Sequence, residues 1–403
     1  MQGIVKPHIL ILGDGFGAPA YNPRLRAICS YLEEQGYVFD LVVERIAELS
    51  FEHSYPIHEI ALYSGGRWDW MVKNIRSLFT DWKNRHFSRL VEKRFGSRHY
   101  DIVFCTTFYT FPLRAAVDFG RRHHIPVITD VRDLAEQAPG NAVHYLAHRN
   151  LALRLFVKPY RWINIRRRNR QLRQADAITT VSPWHVDFLK HLNPHTYLVY
   201  NGYDEKQFVP ADVVSQEFIL SYCGNFFGLP IHNPELLFSA LRQLPDIPYR
   251  LHCYTGKDGQ ALLRTWASQY GITDRIECHD FMAYTAIPAV YHESSILLVF
   301  TNTASAQNVH GLMTTKFFEA LGVEKPVLCV RSDEECLAQV IRDTNAGLAA
   351  TTEEEVCRFI RDKYAEWKAK GFTRQPVLNK QLFSRRYQAQ QIEEIIEKLK
   401  IEN

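Results

Sequence analysis

Short apolar runs alternate with amphipathic segments along almost the whole chain, and few folds accept that rhythm. Runs that read as strands fall at 8–13, 39–44, 101–106, 126–130, 177–182 and 197–201, then at 218–224, 249–256, 275–281, 295–300, 326–330 and 347–351. Helix-like stretches separate them, as in "PRLRAICSYLEEQG" at 23–36, where Gly36 is a stop signal. Strands joined by crossover helices form parallel sheets. The expected fold class is therefore α/β, with two doubly wound, Rossmann-like domains in tandem. At 403 residues the chain can supply a core to each. The polar stretch "NGYDEKQFVPADVVSQEF" at 201–218 marks the junction. The expected domains are 1–208, 209–382, and a C-terminal helix at 383–403 that packs back towards the first.

No apolar stretch approaches the roughly 18 residues needed to span a bilayer. The chain passes from "MQGIVKPHILILGDG" straight into a strand, so no leader is expected. Its eight cysteines include no C-x-x-C pair, and several sit in strand-like runs such as "DIVFC". They read as reduced core thiols, which makes the cytoplasm the expected location. The net charge of +4 is mild but unevenly spread. Residues 149–173 hold nine Lys/Arg and no Asp/Glu, and residues 67–94 hold eight basic and three acidic side chains. An anionic surface or substrate is expected on that half.

Ligands of doubly wound sheets bind beyond the carboxyl ends of the strands, where helix N-termini can meet phosphate. The residues just after strands therefore carry the functional reading. After the first strand, "GDGFGAPAYNPRLR" offers Gly13, Gly15 and Gly17, with Arg24 and Arg26 opening the next helix. The spacing departs from a dinucleotide fingerprint, and Glu44 comes too late to be its acid. The segment reads as a glycine turn or a substrate-lining loop. "TDVRD" puts Asp130, Arg132 and Asp133 at another strand end, as acids for an acceptor hydroxyl or as a capping Asp with an Arg partner. "SYCGNFFGLPIHNPE" puts Gly224 and Asn225 in a third such turn. Residues 294–315 contain no Asp, Glu, Lys or Arg, and their neutral hydrogen-bonding tail suits a polyhydroxylated ligand.

In "GLMTTKFFEALGVEKPVL", a helix beginning near Thr314 or Thr315 points its free N–H groups and positive dipole end at an anion. Lys316 adds a full charge. At 4 Å and an effective dielectric of 20, its attraction for a phosphate is about 4 kcal/mol before desolvation. Glu319 lies about 4.5 Å further along that face, the step from a diphosphate to a ribose diol. A solvated Lys/Glu pair would contribute only a few tenths of a kcal/mol.

That segment resembles the donor-site helix of glycosyltransferase family 4, retaining nucleotide-sugar enzymes of the GT-B fold. "ADAITTVSPWHVDFL", "VYNGYDEKQF", "LSYCGNFFGLPIHNPELLFSAL" and "HDFMAYTAIPAVYHESSILLVF" agree in order, so the resemblance covers nearly the whole chain. It implies two Rossmann-like domains facing across a cleft, with Asn201 and Gly202 near it. It also implies transfer of a sugar, with retention, from a nucleoside diphosphate such as UDP or GDP to an acceptor hydroxyl. The implied catalytic residues are Asp130, Asp133 and Lys316. The expected donor-binding residues are Gly15, Gly17, Gly224, Asn225, Thr314, Thr315, Lys316 and Glu319, with Phe16, Arg26 and Arg132 on the acceptor side. Two features depart from the family. Gly311 stands where a first glutamate is usual, and Asn225 and a neutral residue near His232 replace an Arg/Lys pair.

The expected partners are a nucleoside-diphosphate sugar and a saccharide or lipid-linked acceptor, in cell-surface polysaccharide or glycolipid synthesis. No metal, cofactor or nucleic acid is expected. Trp68, Met71, Val72, Ile75, Leu78, Phe79 and Trp82 recur at helical spacing among basic residues. With "RWINIRRRNRQLR" at 161–173 they read either as a peripheral seat on the anionic inner face of a membrane or as a core-facing stripe. The alternatives to a transferase are a nucleotide-sugar epimerase of the same fold and a non-catalytic nucleotide-sugar-binding relic.

Overall fold

The computed structural model describes residues 6–16, 22–46, 48–49, 51–63, 65–137, 151–307 and 309–402. They form two compact units, residues 1–200 with 388–403, and residues 201–387.

Unit 1 carries seven strands: β1 (His8–Gly13), β2 (Val38–Glu44), β3 (Ile57–Ile60), β4 (Ile102–Thr107), β5 (Val127–Val131), β6 (Ala177–Thr180) and β7 (Thr196–Leu198). They are parallel and ordered β3-β2-β1-β4-β5-β6-β7, so the order reverses between β1 and β4. Ile9, Ile11, Phe104 and Ile128 project to one face, and Leu10, Leu12, Val103 and Cys105 to the other. Both faces are buried, which is why these strands read as continuous apolar runs. The first face is closed partly by the C-terminal helix, whose Ala389, Ile392, Ile395 and Ile396 pack into it. Glu393 fixes that helix by accepting from Tyr31 (2.6 Å), Tyr37 (3.0 Å) and Lys6 (2.9 Å). Strand β3 was not among the expected runs. Its "IHEI" is a half-buried edge strand with two polar residues, so it lacks the apolar signal of the others.

Unit 2 carries β8 (Phe218–Cys223), β9 (Tyr249–Tyr254), β10 (Ile276–His279), β11 (Ile296–Phe300), β12 (Val327–Val330) and β13 (Gly347–Ala349), all parallel, in the order β10-β9-β8-β11-β12-β13. Here the reversal falls between β8 and β11. The core packs Phe218, Leu220, Tyr222, Leu298 and Phe300 against the helices Glu235–Arg242 and Glu353–Lys370. The latter helix starts with a capping box between Thr352 and Glu355. All eight cysteines are free thiols.

Candidate functional site

In a doubly wound sheet the reversal point leaves a crevice at the carboxyl ends of the strands. In unit 2 the chain around that point is built from the turn after β8, the loop after β11 and the helix Thr315–Val323. Thr314 caps this helix, its hydroxyl accepting from the Lys316 amide at 3.3 Å. Phe317, Phe318, Leu321 and Val323 bury the far side, and the helix ends at Glu324 in the left-handed conformation, just before Pro326.

Lys316 is half-buried and lies along Gly224. Gly224 has φ +135°, and a Cβ there would fall 2.0 Å from Cε and 2.6 Å from Nζ of Lys316. Only glycine leaves the lysine its channel. The ammonium stands 5.3 Å from the centre of the Tyr222 ring. Among the described residues no ion pair within 4.0 Å engages it, so the solvated Lys316–Glu319 bridge considered from the sequence does not form. Burial pulls the ammonium's pKa below its ordinary value, partly offset by Glu319.

Glu319 is buried, and the Tyr284 hydroxyl donates to its Oε1 at 2.8 Å. Arg385 donates to that same hydroxyl at 3.0 Å. Burial raises the carboxyl's pKa, while Arg385, the Tyr284 and Tyr291 hydroxyls and Lys316 oppose the rise. Tyr284 and Arg385 were not singled out from the sequence, since nothing local connects them to Glu319. Thr314 and Thr315 are half-buried at the helix start, and Asn225 is exposed beside Gly224. Unit 2 therefore brings Gly224, Asn225, Thr314, Thr315, Lys316 and Glu319 together.

Two neighbouring loops complete this end of the sheet. The uncharged stretch after β11 spends its first polar groups internally. The Thr301 hydroxyl donates to the Arg331 carbonyl (2.6 Å) and the Asn302 amide to the Pro230 carbonyl (2.8 Å), tying the turns together. At Gly311, where the resemblance expects a glutamate, Glu335 supplies a carboxylate from the loop after β12. It accepts from the Gly311 amide at 3.0 Å and pairs with His310 Nδ1 at 2.5 Å. His232, also in the turn after β8, accepts from the Phe227 amide through Nδ1 at 3.0 Å. Burial and then Lys316 lower its pKa to about 3, so the ring is neutral.

In unit 1 the carboxyl ends of β1 and β5 and the helix Pro23–Glu34 bring together a buried ionic cluster. Arg24 donates to both oxygens of Asp130 (2.9 and 3.1 Å) and also to the Tyr200 carbonyl. The Thr106 and Thr179 hydroxyls donate to the same carboxylate at 3.0 and 2.8 Å. Asp130 is fully buried, and although burial would raise its pKa, Arg24, Arg132 and Thr179 hold it below the usual carboxylate range. A carboxylate so enclosed anchors Arg24, which corrects the expectation that it takes a proton from an acceptor. Arg132 is likewise occupied, donating to Asn22 (2.8 Å) and to Asp14 (2.9 and 3.1 Å) and lying 3.6 Å over the Phe108 ring. Its expected place on an acceptor surface gives way to a buried one. Phe16 is corrected in the same way, packing edge-on to Phe51 at 4.9 Å within the core. Arg26 stacks on the other partner of that pair, 4.5 Å from the centre of Phe51. Gly15 has φ +111°, and a Cβ there would lie 2.6 Å from the Glu44 carbonyl, so it serves a tight turn. Gly17 lies outside the described residues. Asp133 is half-buried, and burial raises its pKa against the pull of Arg132.

The helix Arg67–Thr80 does not turn its aromatic stripe inward. Trp68 is 76% exposed, Val72 58% and Ile75 50%, and Trp162 on the helix Leu151–Leu172 is 57% exposed. The core-facing reading fails for these residues, while the side chains of Leu78 and Phe79 lie outside the described set. Among the described residues no helix is long and apolar enough to cross a membrane, and no group of three or more His, Cys, Asp or Glu could hold a metal ion.

Two family models match the chain, Glycosyltransferase Family 4 over residues 24–207 and Glycosyl transferase-like over residues 232–394. Solved structures of similar fold include sucrose-phosphate synthase from Thermosynechococcus elongatus. It is 16% identical, with a TM-score of 0.66, over 99% of this chain and 100% of that one. HepE from Anabaena, in complex with UDP and glucose, is 14% identical at a TM-score of 0.65, over 97% and 100%. A glycosyltransferase from Rickettsia africae is 11% identical at 0.62, over 98% of each chain. No curated protein sequence matches significantly.

Proposed function

The chain belongs to the family 4-like glycosyltransferases of GT-B type, and on that premise we propose that it moves a sugar, with retention, from a nucleoside-diphosphate sugar to an acceptor hydroxyl. The observation that carries the donor class is the Lys316 ammonium, which has no ion-pair partner within 4.0 Å among the described residues and stands at a capped helix N-terminus beside Gly224. Such a cation suits a diphosphate. HepE, of similar fold, was solved with UDP and with UDP-glucose, which supports a nucleotide donor here.

In this reading negative charge grows on the leaving diphosphate as the glycosidic bond breaks. Lys316, at the positive end of its helix, meets that charge already oriented, so no reorganisation is needed at the moment of reaction. Partial desolvation strengthens the interaction over the same contact in water. Glu319, fixed by Tyr284 and Arg385, offers a carboxylate to the ribose hydroxyls one helical turn on. In unit 1, Asp133 is the carboxyl of the expected set suited to proton transfer, since Asp130 is enclosed. No resident metal or cofactor takes part in this proposal. The acceptor is a saccharide or lipid-linked saccharide of cell-surface polymers, and the exposed aromatic and basic helices of unit 1 seat the enzyme on anionic lipid.

Titration with uridine, guanosine and adenosine diphosphates, and with their 2′,3′-dideoxy forms, tests the donor half. At least one diphosphate binds, and removing its ribose hydroxyls weakens it by about tenfold, one charge-assisted hydrogen bond. Absence of binding by all three would remove the proposal.

A further inference from the structure

We propose that His232 is a second, uncharged phosphate-binding group, donating its Nε2–H to the diphosphate that Lys316 holds. The inference rests on the nucleotide reading above and adds to it a residue and a protonation state. The imidazole is 7% exposed and lies among Tyr222, Phe226 and Phe227, with ring centres 6.4, 5.5 and 5.5 Å away. Its Nδ1 accepts the Phe227 amide, so the neutral ring must carry its proton on Nε2. Among the described residues that N–H has no protein acceptor.

Lys316 borders the same Tyr222 ring, 5.3 Å from its centre, and is the charged group that acts on the imidazole. Two donors thus border the Tyr222 ring near the end of β8, one cationic and one neutral. Burial and the adjacent ammonium both oppose a second positive charge, which keeps the imidazole a neutral donor throughout the physiological range. Asn225, in the same turn, contributes no charge either. The turn thus gains a hydrogen bond to phosphate without the repulsion a second cation would bring to Lys316.

The test uses the full chain labelled with ¹⁵N-histidine and titrated with the three nucleoside diphosphates and the matching nucleosides. The His232 resonances should show the Nε2–H tautomer from pH 8 down to pH 5, and the Nε2 signal should move with a diphosphate and not with its nucleoside. His232→Phe should bind the diphosphate about tenfold more weakly at unchanged nucleoside affinity. His232→Gln, whose amide N–H can occupy the Nε2 position, should recover most of that loss. A wild-type protein saturated with diphosphate whose Nε2 signal stays fixed, or a protonated ring at pH 6, overturns the inference and leaves the nucleotide reading standing. Absence of binding by any diphosphate overturns both.

Discussion

Gly224 and Lys316, far apart in the chain, share a space that admits one side chain. The lysine's Cε lies 2.0 Å from where a Cβ of residue 224 would be. The glycine is therefore part of the lysine's position. Gly224→Ala should weaken nucleoside-diphosphate binding as much as Lys316→Met does, and the double variant should be no weaker than either single. Additive losses in a calorimetric double-mutant cycle would show that the two residues act separately.

The buried cluster of unit 1 makes a prediction about stability. Breaking one partner of a buried ion pair leaves the other uncompensated, at a cost of about 3–5 kcal/mol. Arg24→Met and Asp130→Asn should each destabilise unit 1 by that order in denaturant unfolding. Asp133→Asn should leave stability within about 1 kcal/mol while lowering the rate of sugar transfer.

His232 makes one contribution to the pH dependence of unit 2. Its pKa falls from 6.5 to about 3 on folding, so between those values the unfolded chain binds a proton that the folded one does not. The contribution is fully present above pH 6.5 and is lost as pH falls towards 3, by about 5 kcal/mol in total. From pH 7 to pH 4 the wild type should lose more stability than His232→Gln in denaturant unfolding, a comparison that cancels the opposing effect of Asp333, whose pKa burial raises to about 6.

The exposed helices of unit 1 predict salt-sensitive sedimentation with vesicles of anionic phospholipid and none with zwitterionic ones. Trp68→Ala combined with Trp162→Ala should abolish most of it, at unchanged melting temperature, because both rings already face solvent.

Periodicity carried most of the fold. The expected runs became strands because parallel sheets covered on both faces demand unbroken apolar segments. The edge strand Ile57–Ile60 escaped because a half-covered edge tolerates the His and Glu in "IHEI". Within the site, Thr314, Lys316 and Glu319 were legible because capping and helical spacing are local. Their support was not. Gly224 showed a glycine but not the lysine it makes room for, and nothing near Tyr284 or Arg385 links either to Glu319. Asp130 and Arg132 misled for the same reason. A charged pair after a strand looks alike whether it faces a ligand or closes on Arg24 and Asp14, and only burial distinguishes the two.

The account depends most on Lys316 meeting a diphosphate. Isothermal titration of wild type and Lys316→Met with a nucleoside diphosphate and its nucleoside tests that contact directly. Loss of one ammonium–phosphate contact should weaken the diphosphate by at least tenfold and leave the nucleoside within twofold, since each tenfold step is about 1.4 kcal/mol. Equal diphosphate affinity in the two proteins would contradict it.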